Sequence, residues 1–129
     1  MTRHSAGAAL EMLPDGVLVV RLTGPLTGDA LQWFKREIVA LHGPAIRAFV
    51  ADYSRATIAL DGAELDAVLE GEPDGAAPTM PAALVVRDGD VGLMCGHAVR
   101  MAVRGNIRQV FTDHAQAVRW ATRYAAAGV

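Results

Sequence analysis

The chain has 129 residues, a length that suits one domain and leaves little room for a second. Apolar residues make up 52 % and charged residues 20 %, a composition that excludes disorder. The formal net charge of -2 provides no field to attract nucleic acid or anionic lipid.

Lys35 is the one lysine among twelve basic residues, and Ala and Gly abound, the bias of a G+C-rich bacterial gene. Cys95 is the one cysteine, so no disulfide forms within the chain, which fits a reducing compartment. Met1 to Leu13 carries Arg3, His4 and Glu11 and does not read as a signal peptide. No apolar run approaches the roughly 18 residues a membrane helix needs, so a cytoplasmic protein without membrane insertion is expected.

Ala8 to Leu13 and Val17 to Leu22 flank Pro14-Asp15-Gly16, a hairpin signal. Val17 to Val20 is solidly apolar, as an inner strand covered on both faces would be. Thr23-Gly24-Pro25 is expected to break that run. Thr27 then caps a helix from Gly28 to about Leu41, with Leu31, Phe34, Ile38 and Leu41 as its buried stripe. Gly43 and Pro44 should close it. Trp33 lies beside the stripe, as a partner anchor or as padding at the core's edge.

Ile46 to Ala51 is the next expected strand, ending at Asp52, and Tyr53 to Leu60 a connection. Asp61 with Glu64 has capping-box spacing, which predicts a helix through about Glu70. Gly71 to Pro81 reads as a loop, and Ala82 to Val86 as a short strand. After Asp88-Gly89-Asp90 a helix runs from Val91 to about Arg104, with Val91, Met94, Cys95, Ala98, Met101 and Ala102 as its expected buried stripe. Ile107 to Phe111 is the last strand. Asp113 and Gln116 start a final helix, with Ala117, Trp120, Ala121 and Tyr124 inward. This order predicts an α/β domain spanning residues 1–129, in which a mixed five-stranded sheet, its first strand antiparallel and the rest parallel, carries four helices.

The order and three short motifs resemble the STAS domain, the SpoIIAA-like fold of anti-sigma-factor antagonists. The motifs are Phe49-Val50-Ala51-Asp52-Tyr53-Ser54, then Asp61-Gly62-Ala63-Glu64-Leu65, and finally Val110-Phe111-Thr112-Asp113 with Ala117-Val118-Arg119-Trp120. The resemblance implies a regulatory, protein-binding module. It also implies a kinase-modified serine at the second helix start. Here the two serine positions of that motif read Gly62 and Ala63, so a phosphoacceptor is missing unless Ser54 or Thr57 serves.

Candidate sites follow from this frame. α/β sheets bind ligands at the carboxyl ends of parallel strands. A partner-binding surface is expected over Asp52, Tyr53, Ser54, Arg55, Ile58, Asp61 and Glu64, which mixes aromatic, Arg and aliphatic side chains. Asp52 and Ser54 at a strand end read more readily as turn caps than as a nucleophile and its base. His97, Arg100 and Arg104, with Arg108 nearby, read as an anion contact or as a solvated helix face. None of the four histidines is placed by a motif, so no catalytic, metal or cofactor site is expected, and chelators should leave the fold unchanged. Cys95 is expected in the core, where serine would cost stability. The sequence favours a non-enzymatic regulatory module with a protein partner and is compatible with a homodimer. The alternative is a carrier or sensor of a small apolar or anionic ligand at the sheet's carboxyl edge.

Overall fold

The structure, a computed structural model, describes residues 6–42, 45–70 and 81–127. Five strands, β1 (Gly7–Met12), β2 (Val17–Leu26), β3 (Ala48–Ile58), β4 (Ala82–Val85) and β5 (Arg108–Phe111), form one sheet in chain order. β1 runs antiparallel to β2, and β2 to β5 are parallel. Four helices follow the parallel strands: α1 (Gly28–His42), α2 (Gly62–Glu70), α3 (Val91–Val103) and α4 (His114–Ala126). This is the mixed sheet and helix count that the sequence predicts. The Leu41 side chain, the cap at Gly43-Pro44 and the loop over 71–80 lie outside the described residues.

Each parallel crossover is right-handed by preference, and each new strand adds on the same side. The crossover helices therefore share one face. Leu31, Phe34 and Ile38 of α1, Leu65 and Val68 of α2 and Met94 of α3 pack there against Leu18, Val20, Leu22 and Leu84. The other face is left to α4. It meets Val17, Val19, Ala48, Val50, Ala83 and Val85 with a row of alanines, Ala117, Ala121 and Ala125.

Spacing i, i+4, i+8 puts those three methyls on one line, which lets the helix axis approach the sheet closely. That line corrects the expected inner face of α4. Trp120 is half-buried at the flank, edge-on to Phe111 at 5.9 Å and beside Tyr124 at 4.5 Å. Tyr124 itself is exposed.

Helix ends follow sequence closely. The Ala30 amide donates to Thr27 Oγ1 (3.2 Å), and the Ala115 amide to Asp113 Oδ1 (2.9 Å). Asp61 and Glu64 close a reciprocal box, with the Glu64 amide donating to Asp61 Oδ1 (2.8 Å) and the Asp61 amide to Glu64 Oε1 (3.1 Å). At the end of α3, Gly105 has φ 83°, and the Asn106 and Gly105 amides donate to the Met101 and Ala102 carbonyls. A Schellman cap needs that left-handed residue.

Four expectations change. β2 does not break at Thr23-Gly24-Pro25 but runs to Leu26 beside β3. β1 reaches only Thr23, so the missing Pro25 N–H lies where β2 has lost one neighbour. β3 does not end at Asp52. It continues to Ile58 through a bulge, because Arg21 and Thr23 of β2 pair with Asp52 and Arg55, one extra residue on β3. Residues 53–58 are thus strand, not a connection. On α3 the buried stripe is Met94, His97, Ala98 and Met101, while Cys95 and Ala102 are exposed. The stability cost expected of a serine at Cys95 therefore has no basis.

The alanine row makes a direct test. Ala121→Leu places three extra carbons where α4 meets the sheet and should destabilise the fold by about 1–3 kcal/mol. Chemical denaturation reads this, and an unchanged midpoint would mean that α4 stands off the sheet.

Candidate functional site

The bulge sets the local geometry at the carboxyl end of β3. Up to Tyr53 the alternation is regular, with Val50 and Asp52 facing α4 and Phe49, Ala51 and Tyr53 facing the crossover helices; beyond the bulge it is shifted, so that Ala56 shares the side of Tyr53. Asp52 and Tyr53 are both buried although adjacent, because both faces of the sheet are covered.

Asp52 is the hub. Its Oδ1 accepts from the Ser54 amide (2.9 Å), and its Oδ2 meets His114 Nδ1 at 2.7 Å. His114 Nε2 lies 3.2 Å from Arg21 Nη2. A guanidinium can only donate, so Nε2 accepts and Nδ1 carries the hydrogen that goes to Asp52. Burial pushes the Asp52 carboxyl up, but hydrogen bonds from the Ser54 hydroxyl and amide and from His114 outweigh it and hold the group below the usual carboxylate range.

This Asp–His–Arg chain has consequences for chemistry. A hydrolytic triad needs its serine at the imidazole nitrogen opposite the carboxylate. Here that nitrogen is met by Arg21, and Ser54 bonds to the aspartate instead. The arrangement orients Arg21; it does not activate a nucleophile. A pocket of about 390 Å³ opens beside it, lined by Arg21, Thr23, Asp52, Ser54 and Arg55 with the backbone of β1.

A second Asp–His pair lies on the other face, between α2 and α3. His97 Nδ1 meets Asp66 Oδ1 at 2.8 Å, and Arg100 binds both Asp66 oxygens. The Arg100 guanidinium fits because two glycines leave room: a Cβ on Gly62 or Gly96 would sit 3.2 Å or 3.1 Å from its nitrogens. His97 is fully buried, with no hydrogen-bond partner for Nε2. Burial lowers its pKa from 6.5. Asp66 opposes this, while the Arg108 and Arg100 charges add to the drop. The Arg100 hydrogen bond, with His97 in support, holds Asp66 below the usual range against partial burial.

The expected site residues separate accordingly. Ser54 and Ile58 are half-buried, whereas Arg55, Asp61 and Glu64 are exposed. Tyr53 is a core residue, 2 % exposed, with its phenol pushed up to about 12 by burial. It anchors the sheet and presents no surface to a partner. His97, Arg100 and Arg104 do not form a solvated row. His97 belongs to the core and Arg100 is committed to Asp66, while Arg104 stays exposed at the end of α3. Both Asp–His pairs escaped the sequence, being 62 and 31 residues apart. The usable signal for the first was topological, since Asp52 pairs with Val85 at the carboxyl end of β4, which pairs with Phe111 at the end of β5, just before Asp113-His114.

Among the described residues, no group of three or more His, Cys, Asp or Glu side chains could hold a metal ion. No described helix is long and apolar enough to cross a membrane.

Comparison with known proteins reaches the chain through its structure. No family model and no curated protein matches it. An anti-sigma factor antagonist from Mycobacterium paratuberculosis superposes with a TM-score of 0.60 over 91 % of this chain and 94 % of its own, at 20 % identity. An uncharacterised SpoIIAA-like protein from Shewanella loihica gives 0.54 over 94 % and 97 %, at 15 % identity. The fold is SpoIIAA-like.

His97 supplies a pH test. An unfolded chain takes up a proton near pH 6.5 that the folded chain, with His97 depressed, does not. Stability should therefore fall as pH drops through 6.5 towards the folded value. The depressed Asp52 and Asp66 act lower, losing their contribution as pH falls from about 4 through their folded values. Denaturation midpoints between about pH 7.5 and 5.5 should shift less in His97→Gln than in wild type. Equal shifts would exclude His97 as the source.

Proposed function

We propose that the chain is a non-enzymatic regulatory module, a single SpoIIAA-like domain that binds another protein through the start of α2 and the neighbouring end of β3. The reading is supported by the superposition on an anti-sigma factor antagonist over nearly the whole of both chains. The observation that carries it is the state of α2's first turn. Ala63 stands exposed there, where the family resemblance implies a modified serine, and the Asp61–Glu64 box keeps two carboxylates beside it.

A serine phosphate would add about two negative charges at this helix end, where the macrodipole favours them. Alanine cannot be phosphorylated, and the two carboxylates provide a permanent charge instead. The partner would thus meet a surface in one fixed state, with control by abundance or by ligand. Arg55, Asp61 and Glu64 are the exposed polar contacts of that surface. A bacterial cytoplasm fits the single free thiol and the reading as a regulator.

A second reading rests on the pocket. Arg21, oriented through His114, and exposed Arg55 both line it, which suits a small oxyanion such as a carboxylate or phosphate. Such a ligand would lie next to the docking surface and could modulate it.

The test begins with a pull-down from the native cell. With the partner in hand, Arg55→Glu and Ala63→Lys should each weaken binding by roughly tenfold or more while leaving the melting midpoint in place. Wild-type affinity in both folded variants would place the surface elsewhere. Tyr53→Ala is no substitute, because it opens the core.

A further inference from the structure

α4 packs on β2, β3 and β4, and the same side of β1 is left open: Ala9 and Glu11, opposite Arg21 and Val19, are exposed. Residues that face each other across an antiparallel pair share a side, so Gly7, Ala9, Arg21 and Thr23 all belong to this open corner. The pocket of about 390 Å³ is that corner, next to His114 where α4 begins.

The charges of the corner do not cancel. Arg21 meets His114 Nε2 and, among the described residues, no carboxylate. Arg55 has neither a hydrogen bond nor an ion pair among them. Asp52 is the one acid of the lining among the described residues, and it is 6 % exposed. Its oxygens are taken by the Ser54 amide and by His114. His114, which accepts at Nε2 and donates from Nδ1, is neutral in this arrangement. Two guanidinium charges therefore stand against one carboxylate, a surplus of one positive charge.

Away from the arginines the lining is small and apolar. Gly7, Ala8 and Ala9 offer backbone and methyl groups only. Even a Cβ on Gly7 would lie 3.0 Å from Thr23 Oγ1, so a side chain there would crowd the hydroxyl. The volume falls within the range of about 300–1,000 Å³ that small organic ligands fill. A bare ion, comparable with one or two water molecules of about 30 Å³ each, would fill only a small part of it.

Taking the pocket as the oxyanion site proposed above, we infer that it holds a small monocarboxylate with an apolar body, its head between Arg21 and Arg55 and its body along β1. One negative charge cancels the surplus, and a planar carboxylate accepts paired guanidinium N–H groups. A phosphate, with close to two charges at neutral pH, would leave the corner net negative beside the buried Asp52 carboxylate. The body supplies what an ion lacks, apolar surface to remove from water against Ala8 and Ala9.

Four probes test this on the full chain by calorimetry and by amide NMR shifts at about pH 7.5, where the carboxylates are ionised. They are hexanoate, acetate, hexanamide and inorganic phosphate. Hexanoate should bind at least about tenfold tighter than each of the other three and shift the amides of Thr23, Ser54 and Arg55. Arg21→Met and Arg55→Met should each weaken hexanoate by about tenfold, and Ala9→Leu should block it by filling the corner. Arg55 and Ala9 are exposed, so those two variants should keep the wild-type melting midpoint. Phosphate or acetate bound as tightly as hexanoate, and lost in Arg55→Met, would overturn the monocarboxylate and leave the oxyanion site standing. Hexanamide bound as tightly as hexanoate, or no binding by any probe, would overturn both. Hexanoate binding unchanged in Arg55→Met and Ala9→Leu would put it outside this corner and overturn the inference.

Discussion

The handedness of three crossovers organises this molecule. Because β2, β3, β4 and β5 follow one another across the sheet in chain order, α1, α2 and α3 fall on the same side. One face thereby receives three helices and a thick, mixed aliphatic core. The other receives α4 alone, which must cover four strands with a single helix. Its solution is proximity: alanine rather than leucine at the contact line, met by Ala48 and Ala83 in the sheet, with Phe111, Trp120 and Tyr124 stacked along one flank. The two faces thus use different packing chemistry for the same purpose, and size changes matter more on the side with less room.

Much of this is legible in the sequence. Solid apolar runs marked β2 and β4, the 3.6-residue stripe marked α1, and Thr27, Asp61 and Asp113 announced the helices they cap. These signals are local, and local physics decides them. What escaped was non-local. The bulge in β3 shifts the period-2 pattern between Tyr53 and Ala56, and polar Asp52 is buried where such a residue usually marks a strand end, so the second half of the strand reads as a loop. On α3, apolar residues occur all round, so composition could not say which side faced in. The apolar pattern places Cys95 inward and His97 outward, and the reverse holds: His97 is buried with its Nδ1 on Asp66, and Cys95 is exposed. The candidate site was legible only as a neighbourhood. Asp52, Ser54 and Arg55 line one pocket with Arg21, whereas the Asp52–His114–Arg21 chain depends on strand order.

The two Asp–His pairs share a chemistry and differ in setting. Each histidine donates through Nδ1 to an aspartate, and each pair is completed by an arginine. At Asp66 the arginine binds the carboxylate, and the imidazole is sealed in the core. At Asp52 the arginine binds the imidazole and stands at the mouth of a pocket. The first arrangement fastens α2 to α3. The second fastens β3 to the start of α4 and aims a cation at solvent. Arg100 also spans the two helices, since its guanidinium lies over Gly62 at the start of α2 and over Gly96 on α3.

The extra residue in β3 has a consequence for how this chain can change over generations. Side-chain substitutions around it leave the register intact. Loss of one residue between Asp52 and Arg55 would restore regular pairing with β2 and leave Ala56 and Ile58 on the side of the crossover helices, because Leu26, paired with Ile58, already faces that way. What would go is the extra residue that lets the Ser54 amide turn back onto Asp52, and with it one of the two bonds that aim the carboxylate at His114. Length at this point therefore bears on the polar site and not on the core beneath it.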